Sequence, residues 1–129
     1  MRTITVEPKT RNRVTGPALR TFFNIAEKWG LSRDQQIVLL GKIPTSTYHE
    51  WKKKGDGRLS NDTLERISYI LGIFKALQIL IPDIEVADGW IKRPNRAYPF
   101  GGKSALDRML SGQVSDLFVV RQYLDAQLG

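Results

Sequence analysis

The chain contains no cysteine and a single histidine, His49, among its 129 residues. Disulfides and thiolate metal sites are therefore excluded, and so is any multi-histidine metal site. Long apolar runs are missing too. The longest, from Tyr69 to Ile81, is interrupted by Lys75 and Gln78 and is too short to span a bilayer. Met1 to Thr15 hold no apolar h-region, so no secretory signal is expected. No strand-turn-strand pattern occurs between residues 16 and 129, and there is no internal repeat or low-complexity tract. The expectation is an all-α protein of the reducing cytoplasm, with no membrane role, no metal and no cofactor.

What is present is an uneven distribution of charge. The net charge is +7. Residues 1–58 hold 12 Lys/Arg against 5 Asp/Glu, whereas residues 59–129 hold 8 of each. All of the excess positive charge lies in the first half, which points to a polyanion-binding module followed by something else. A basic surface kept for solubility would give the same numbers.

Residues 1–15, with Arg2, Lys9, Arg11 and Arg13, have no sustained period and read as a flexible basic arm. Pro17 suits the first turn of a helix in which Leu19, Phe22, Phe23, Ala26 and Trp29 recur at helical spacing, up to Gly30. Ser32 with Gln35 is a capping-box pattern opening a second helix that ends at Gly41. A third runs from about Thr45 to Lys54 and stops at Gly55-Asp56-Gly57. Ser60 or Asn61 caps a longer fourth helix that Gly72 either bends or divides. Beyond Pro82 the pattern gives a short helix to Gly89 and a loop-like stretch from Trp90 to Lys103. A two-turn helix capped by Ser104 and a last helix from Val114 to Leu128 complete it. The domains expected are 1–15 as the arm, 16–80 as a helix-turn-helix lobe and 81–129 as a second helical lobe.

Two short helices joined by a tight turn, inside a basic helical cluster, form a helix-turn-helix signature. Ile43, Tyr48 and Trp51 are the expected inward set of the second helix. Thr45, Ser46, His49, Glu50 and Lys53 fall on the opposite side, where such groups bond base edges in a major groove. Lys42, Lys52, Lys54 and Arg58 flank it as candidate phosphate contacts, supplying affinity rather than sequence information. A solvated surface helix would carry similar residues. The Gly41-to-Trp51 spacing is one residue longer than usual: either the turn is extended or Lys42 stands where glycine normally would.

Ala97-Tyr98-Pro99-Phe100-Gly101-Gly102-Lys103-Ser104 satisfies a loose nucleotide-binding P-loop pattern. Such a loop needs a buried strand before it, and Lys92-Arg93-Pro94-Asn95-Arg96 is not one. Tyr98-Pro99-Phe100 is also too bulky to wrap a phosphate. Nucleotide hydrolysis is rejected, and the glycines are read as a sharp turn into the helix capped by Ser104.

Over roughly residues 30–129 the sequence resembles the Xre/MbcA/ParS family of bacterial antitoxins. The resemblance rests on Leu39-Leu40-Gly41, Thr47 to Trp51, Leu59-Ser60 and Leu64 to Gly72. More specific are Trp90-Ile91, Arg93-Pro94-Asn95, and Phe100 to Ser104 running into Leu106 to Leu110. Ala105 stands where that family usually has proline. The resemblance implies a partner, a RES-domain toxin of NAD-consuming or ADP-ribosylating chemistry. It also implies a non-enzymatic antitoxin that blocks the toxin's cleft and represses its own operon. The candidate toxin-binding set is Trp90, Arg93, Asn95, Arg96, Tyr98, Phe100, Gly101, Gly102, Lys103 and Ser104, and the candidate DNA site is the promoter of its own operon. A homodimer is expected, because helix-turn-helix proteins usually read two-fold sites. The alternative is a free-standing transcription regulator whose second half only dimerises, and a neighbouring toxin gene separates the two.

Overall fold

A computed structural model describes residues 8–129, with side chains from Thr15 onward. Seven α-helices and one 3-10 turn occur among the described residues. They are α1 (Pro8–Lys28), α2 (Arg33–Leu39), α3 (Thr45–Lys54), α4 (Asn61–Leu80), α5 (Ile84–Gly89), the turn Trp90–Lys92, α6 (Ala105–Met109) and α7 (Val114–Leu128). The all-α expectation holds. The sole pairing of extended backbone among these residues is an isolated bridge between Pro94 and Ser104.

Side-chain caps set most of the helix starts. Ser32 accepts from the Gln35 amide at 3.1 Å while the Gln35 side chain accepts from the Ser32 amide at 2.9 Å, the reciprocal capping box that opens α2. Ser60, Asp83 and Ser104 accept from the third amide of α4, α5 and α6 in the same way.

Two sequence expectations are corrected. α1 already runs at Pro8, so residues 8–15 are helix rather than arm, and Pro17 lies inside the helix instead of in its first turn. The proline removes one intrahelical hydrogen bond. Thr15 is nonetheless fully buried, and the Thr21 hydroxyl donates to the Pro17 carbonyl at 2.9 Å. Packing outweighs the local signal there. Residues 1–7 lie outside the described residues. Gly72 does not divide α4, which runs unbroken for 20 residues. It permits a close approach instead: a Cβ there would come within 2.5 Å of the Arg121 guanidinium of α7. Arg121 bonds across the same place to the Ser68 carbonyl at 3.2 Å.

α4 is the element around which the rest assembles. Apolar residues occur on more than one of its sides, as a helix buried between others requires. Ile67, Ile70, Ile73, Ala76 and Leu77 are all buried in it. α1 supplies Leu19, Phe22, Ile25 and Ala26, the turn after it Trp29, and α7 Leu117, Val120 and Leu124, to one continuous core. The same core takes in Tyr48 and Trp51 of α3 and Leu106 and Met109 of α6.

A single core predicts a single cooperative transition. Leu117→Ala, which truncates a side chain of zero exposure, should cost about 2–5 kcal/mol. Urea unfolding followed by far-UV dichroism and by tryptophan fluorescence should give coincident curves. Separate transitions for the two halves would contradict the shared core.

Candidate functional site

The turn between α2 and α3 explains the extra residue in the spacing. The Lys42 amide donates to the Ile37 carbonyl at 2.9 Å and the Gly41 amide to the Val38 carbonyl at 3.0 Å, a Schellman closure of α2. Gly41 and Lys42 both have positive φ, 105° and 60°. The turn is therefore extended, and Lys42 does adopt a backbone conformation that favours glycine. A side chain at Gly41 would also crowd the Asp62 carboxylate, which a Cβ would meet at 3.0 Å.

The closed turn sets α3 against α2 through a buried polar pair. The Tyr48 hydroxyl donates to Gln36 Oε1 at 2.9 Å, and Gln36 Nε2 donates to the Leu31 carbonyl at 3.1 Å. Tyr48 and Trp51 are buried and Ile43 is half-buried against the core, as the inward set required. Thr45, Ser46, His49, Glu50 and Lys53 are all exposed, as are Lys52, Lys54, Lys42 and Arg58. At 100° per residue the first five share one side of α3, opposite Tyr48 and Trp51. They form a polar ridge suited to a major groove.

Not every cation near that ridge is free to meet phosphate. Lys52 turns back along α3, with its ammonium 3.5 Å from the Tyr48 hydroxyl and 5.8 Å from that ring's centroid. The aliphatic stem of Lys42 lies over Gly112, where a Cβ would be 2.9 Å from its Cε. Lys54 pairs with Glu50 one turn earlier at 2.8 Å. This hydrogen bond, and after it the charge attraction, holds the Glu50 carboxyl below its usual range and the Lys54 ammonium above its own. Glu50 thus favours the folded state above the ordinary carboxylate pKa, and that contribution is lost as pH falls through its lowered value. The Lys54 contribution is lost only as pH rises beyond the ordinary lysine range. At neutral pH the pair is intact. Among the described residues Lys53 and Arg58 have no ion-pair partner, and Arg58 lines a cleft of about 430 Å³ with Thr47, Glu50, Trp51, Lys54, Asp56 and Gly57.

Sequence reasoning missed Arg20. Its guanidinium donates to the Gly55 carbonyl at 3.0 Å, satisfying the C-terminal end of α3 from α1. Nothing in the local pattern of α1 marks that residue. Arg66 was missed as well. It joins Asp62 at 2.8 Å to the Gly112 carbonyl at 3.0 Å, while Thr63 donates to the Leu40 carbonyl at 2.8 Å. The start of α4 is thereby tied to the end of α2.

The second group of candidates lies on the loop from Arg93 to Ser104, which is closed on itself by backbone hydrogen bonds. Asn95 donates to Lys103 at 3.0 Å, Gly102 to Asn95 at 2.7 Å and Phe100 to Ala97 at 2.7 Å. Gly101 and Gly102 take the left-handed angles 62° and 94° at its exposed tip. Phe100 is corrected. It was expected to face a partner and is only 5% exposed. It packs edge-on against Trp90 at 5.9 Å and Tyr123 of α7 at 5.1 Å, and Trp90 stacks on Tyr123 at 6.2 Å. Phe100 is the peg that seats the loop, and Trp90 is half-buried beside it.

Other members of this group brace the frame. Asn95 Oδ1 accepts from the Ala97 amide at 2.9 Å, Ser104 caps α6, and the Arg93 guanidinium bonds the Val86 carbonyl. Arg108 adds a strut from α6, reaching the Pro99 carbonyl at 2.8 Å and Asp116 at 3.0 Å. Arg96, Tyr98 and Lys103 remain as the side chains presented outward. At 92% exposure Tyr98 is the most open large apolar side chain among the described residues.

The ion pair on α3 generates a test. Glu50→Gln should release Lys54 for phosphate and make the salt dependence of duplex binding steeper by about 0.9 in log–log slope. An unchanged slope would show that Lys54 does not reach the backbone.

Residues 11–72 match the family model described as the antitoxin Xre-like helix-turn-helix domain. Residues 76–129 match that of the antitoxin Xre/MbcA/ParS C-terminal toxin-binding domain. The chain is 57% identical over 111 residues, 86% of its own length and 84% of the relative's, to the uncharacterized protein y4oB of Sinorhizobium fredii. The first match contains the turn and ridge of α2 and α3, the second contains the braced loop, and the chain belongs to the Xre/MbcA/ParS family of antitoxins, DNA-binding members of toxin–antitoxin systems.

Proposed function

We propose that this antitoxin neutralises a RES-domain toxin through the loop Arg93–Ser104 and represses its own operon through α3, working in the cytoplasm as a homodimer. In this reading residues 16–80 carry the DNA-binding role and residues 81–129 the toxin-binding role, without catalysis. The observation that carries the toxin half is Tyr98, 92% exposed on a loop held by its own hydrogen bonds and by buried Phe100. A rigid loop presenting an aromatic loses little entropy on binding. Tyr and Arg are favoured interface anchors, and Arg96 flanks Tyr98. Lys103 adds a second cation suited to an acidic or phosphate-recognising cleft. The absence of a helix long and apolar enough to cross a membrane among the described residues is compatible with the location proposed.

Co-expression with a RES-domain toxin, the proposed partner, tests the toxin half. The double substitution Arg96→Ala with Tyr98→Ala should leave stability within about 0.5 kcal/mol, because both side chains are exposed. It should weaken the complex by about 1–4 kcal/mol and abolish growth rescue. Phe100→Ala should also abolish rescue, but by unfolding, at a cost of about 3–5 kcal/mol. Full rescue by a folded Arg96/Tyr98 double variant would move the site elsewhere. Failure of the unaltered chain to rescue would refute the function.

An electrophoretic shift on the operon's own promoter tests the DNA half. Lys53→Ala should weaken binding on all sequences, whereas Ser46→Ala or His49→Ala should chiefly relax sequence preference. No shift at low salt would remove the repressor role. Light scattering that finds only monomer at micromolar concentration would remove the dimer.

A further inference from the structure

Although α4 is buried by its neighbours over most of its circumference, one face of it stays open. A cleft of about 440 Å³ lies over that face, floored by Leu64, Ser68, Leu71 and Lys75 and walled by Ala18 of α1 and Arg121 of α7. Leu64 and Leu71 are only partly buried there. Ile79, one turn beyond Lys75, is 60% exposed. At 100° per residue Leu64, Ser68, Leu71, Lys75 and Ile79 fall within a sector of about 80°, so they form one stripe. From Leu64 to Ile79 that stripe is about 22 Å long.

The cleft faces away from both α3 and the braced loop. On α1, Gly16, Arg20 and Phe23 lie against α3 and its C-terminal turn, and Ala18 is turned about 150° from them. On α7, Tyr123 lies against Trp90 and Phe100, and Arg121 is turned about 160° from it. An occupant of the cleft therefore leaves the polar ridge and the loop free.

We propose that this face of α4 is the surface through which two copies of the chain associate, with their α4 helices antiparallel. This rests on the homodimer reading and gives it a surface. Lys75 has no ion-pair partner among the described residues. Glu65, at the edge of the stripe near its other end, is exposed and accepts the Tyr69 hydroxyl at 3.0 Å. Ten residues of helix, about 15 Å, separate Glu65 from Lys75, so the two cannot pair within one chain. A two-fold axis between Leu71 and Gly72 brings Ile79 of one copy over Leu64 of the other. Lys75 then comes level with Ser68 of the other copy, less than one turn from Glu65. The exposed isoleucine enters the Leu64 end of the opposite cleft, and the contact is repeated by symmetry, as an isologous interface requires. These self-matching charges favour a second copy, because a partner of one sign would leave either Lys75 or Glu65 unpaired.

Sedimentation velocity of the full-length chain across micromolar concentrations, without DNA or toxin, is the test. The unaltered chain should dimerise. Ile79→Glu, at a position the fold leaves exposed, should raise the dimer dissociation constant by about 100-fold, since each dimer loses two buried isoleucines. Lys75→Glu and Glu65→Lys should each weaken the dimer by about 10-fold, and the two together in one chain should restore it. Far-UV dichroism should be unchanged in all four variants. Because the two residues lie too far apart to compensate within a chain, rescue reports a contact between copies. A dimer indifferent to Ile79→Glu, or single reversals that the double does not rescue, overturns the proposal and leaves the cleft to another occupant, such as a helix of the toxin. A monomeric unaltered chain overturns the homodimer reading and this surface with it.

Discussion

Everything in this fold hangs on the burial of α4 against α1 on one side and α7 on another. The helix is apolar on more sides than one neighbour could cover, so neither half of the chain completes a core alone. Burying a Leu or Ile side chain contributes about 1.5–3 kcal/mol, and α4 alone supplies Ile67, Ile70, Ile73 and Leu77. The polar ties at its start are smaller in energy. Arg66 is 8% exposed, but its carboxylate partner Asp62 is half-open to water, so screening leaves the ion pair worth less than about 1 kcal/mol. Its effect lies in position. Thr63 ties the end of α2, and Arg66 the turn before α7, to the same central helix.

Much of this was legible in the chain because helix starts are local events. Ser32, Ser60 and Ser104 were readable as caps, since each bonds an amide three residues on. The inward and outward sides of α3 followed from periodicity alone. What escaped was decided at long range. α1 continues to Pro8 although Pro17 signals a helix start, because Thr15 and Gly16 are both buried, Gly16 beside Arg20 and Asp56. Phe100 sits in an aperiodic segment, and its partner Tyr123 lies on the last helix. No local pattern could turn that ring inward. Arg20 and Arg66 act through carbonyls far along the chain, and carbonyls leave no trace in a sequence.

The charge asymmetry was a correct pointer to a basic half and a poor guide to which cations are available. Of the lysines flanking α3, Lys52 is drawn back over Tyr48 and Lys54 is held by Glu50. A formal count therefore overstates the charge that α3 can offer to phosphate. Glu50 is affected in the same way. In the proposed DNA-binding reading, a carboxylate paired with its own lysine accepts from a cytosine amino group only if that pair opens, which would couple Glu50 to Lys54. Double substitution of the two should consequently be non-additive for DNA affinity.

A shared core also governs how mutations in this protein are to be read. With about 5–15 kcal/mol of total stability, the loss of one buried side chain such as Leu117 or Phe100 removes a large fraction of it. Both binding surfaces rest on that one reserve, so such a change weakens toxin binding and DNA binding alike without touching either surface. A growth-rescue screen would then mark α4 and α7 core positions as if they contacted the toxin. The informative positions are those where exposure is high and stability is indifferent, Tyr98 and Arg96 on the loop and Ser46, His49 and Lys53 on α3. At these positions a lost activity reports a lost contact, because the fold has nothing there to lose.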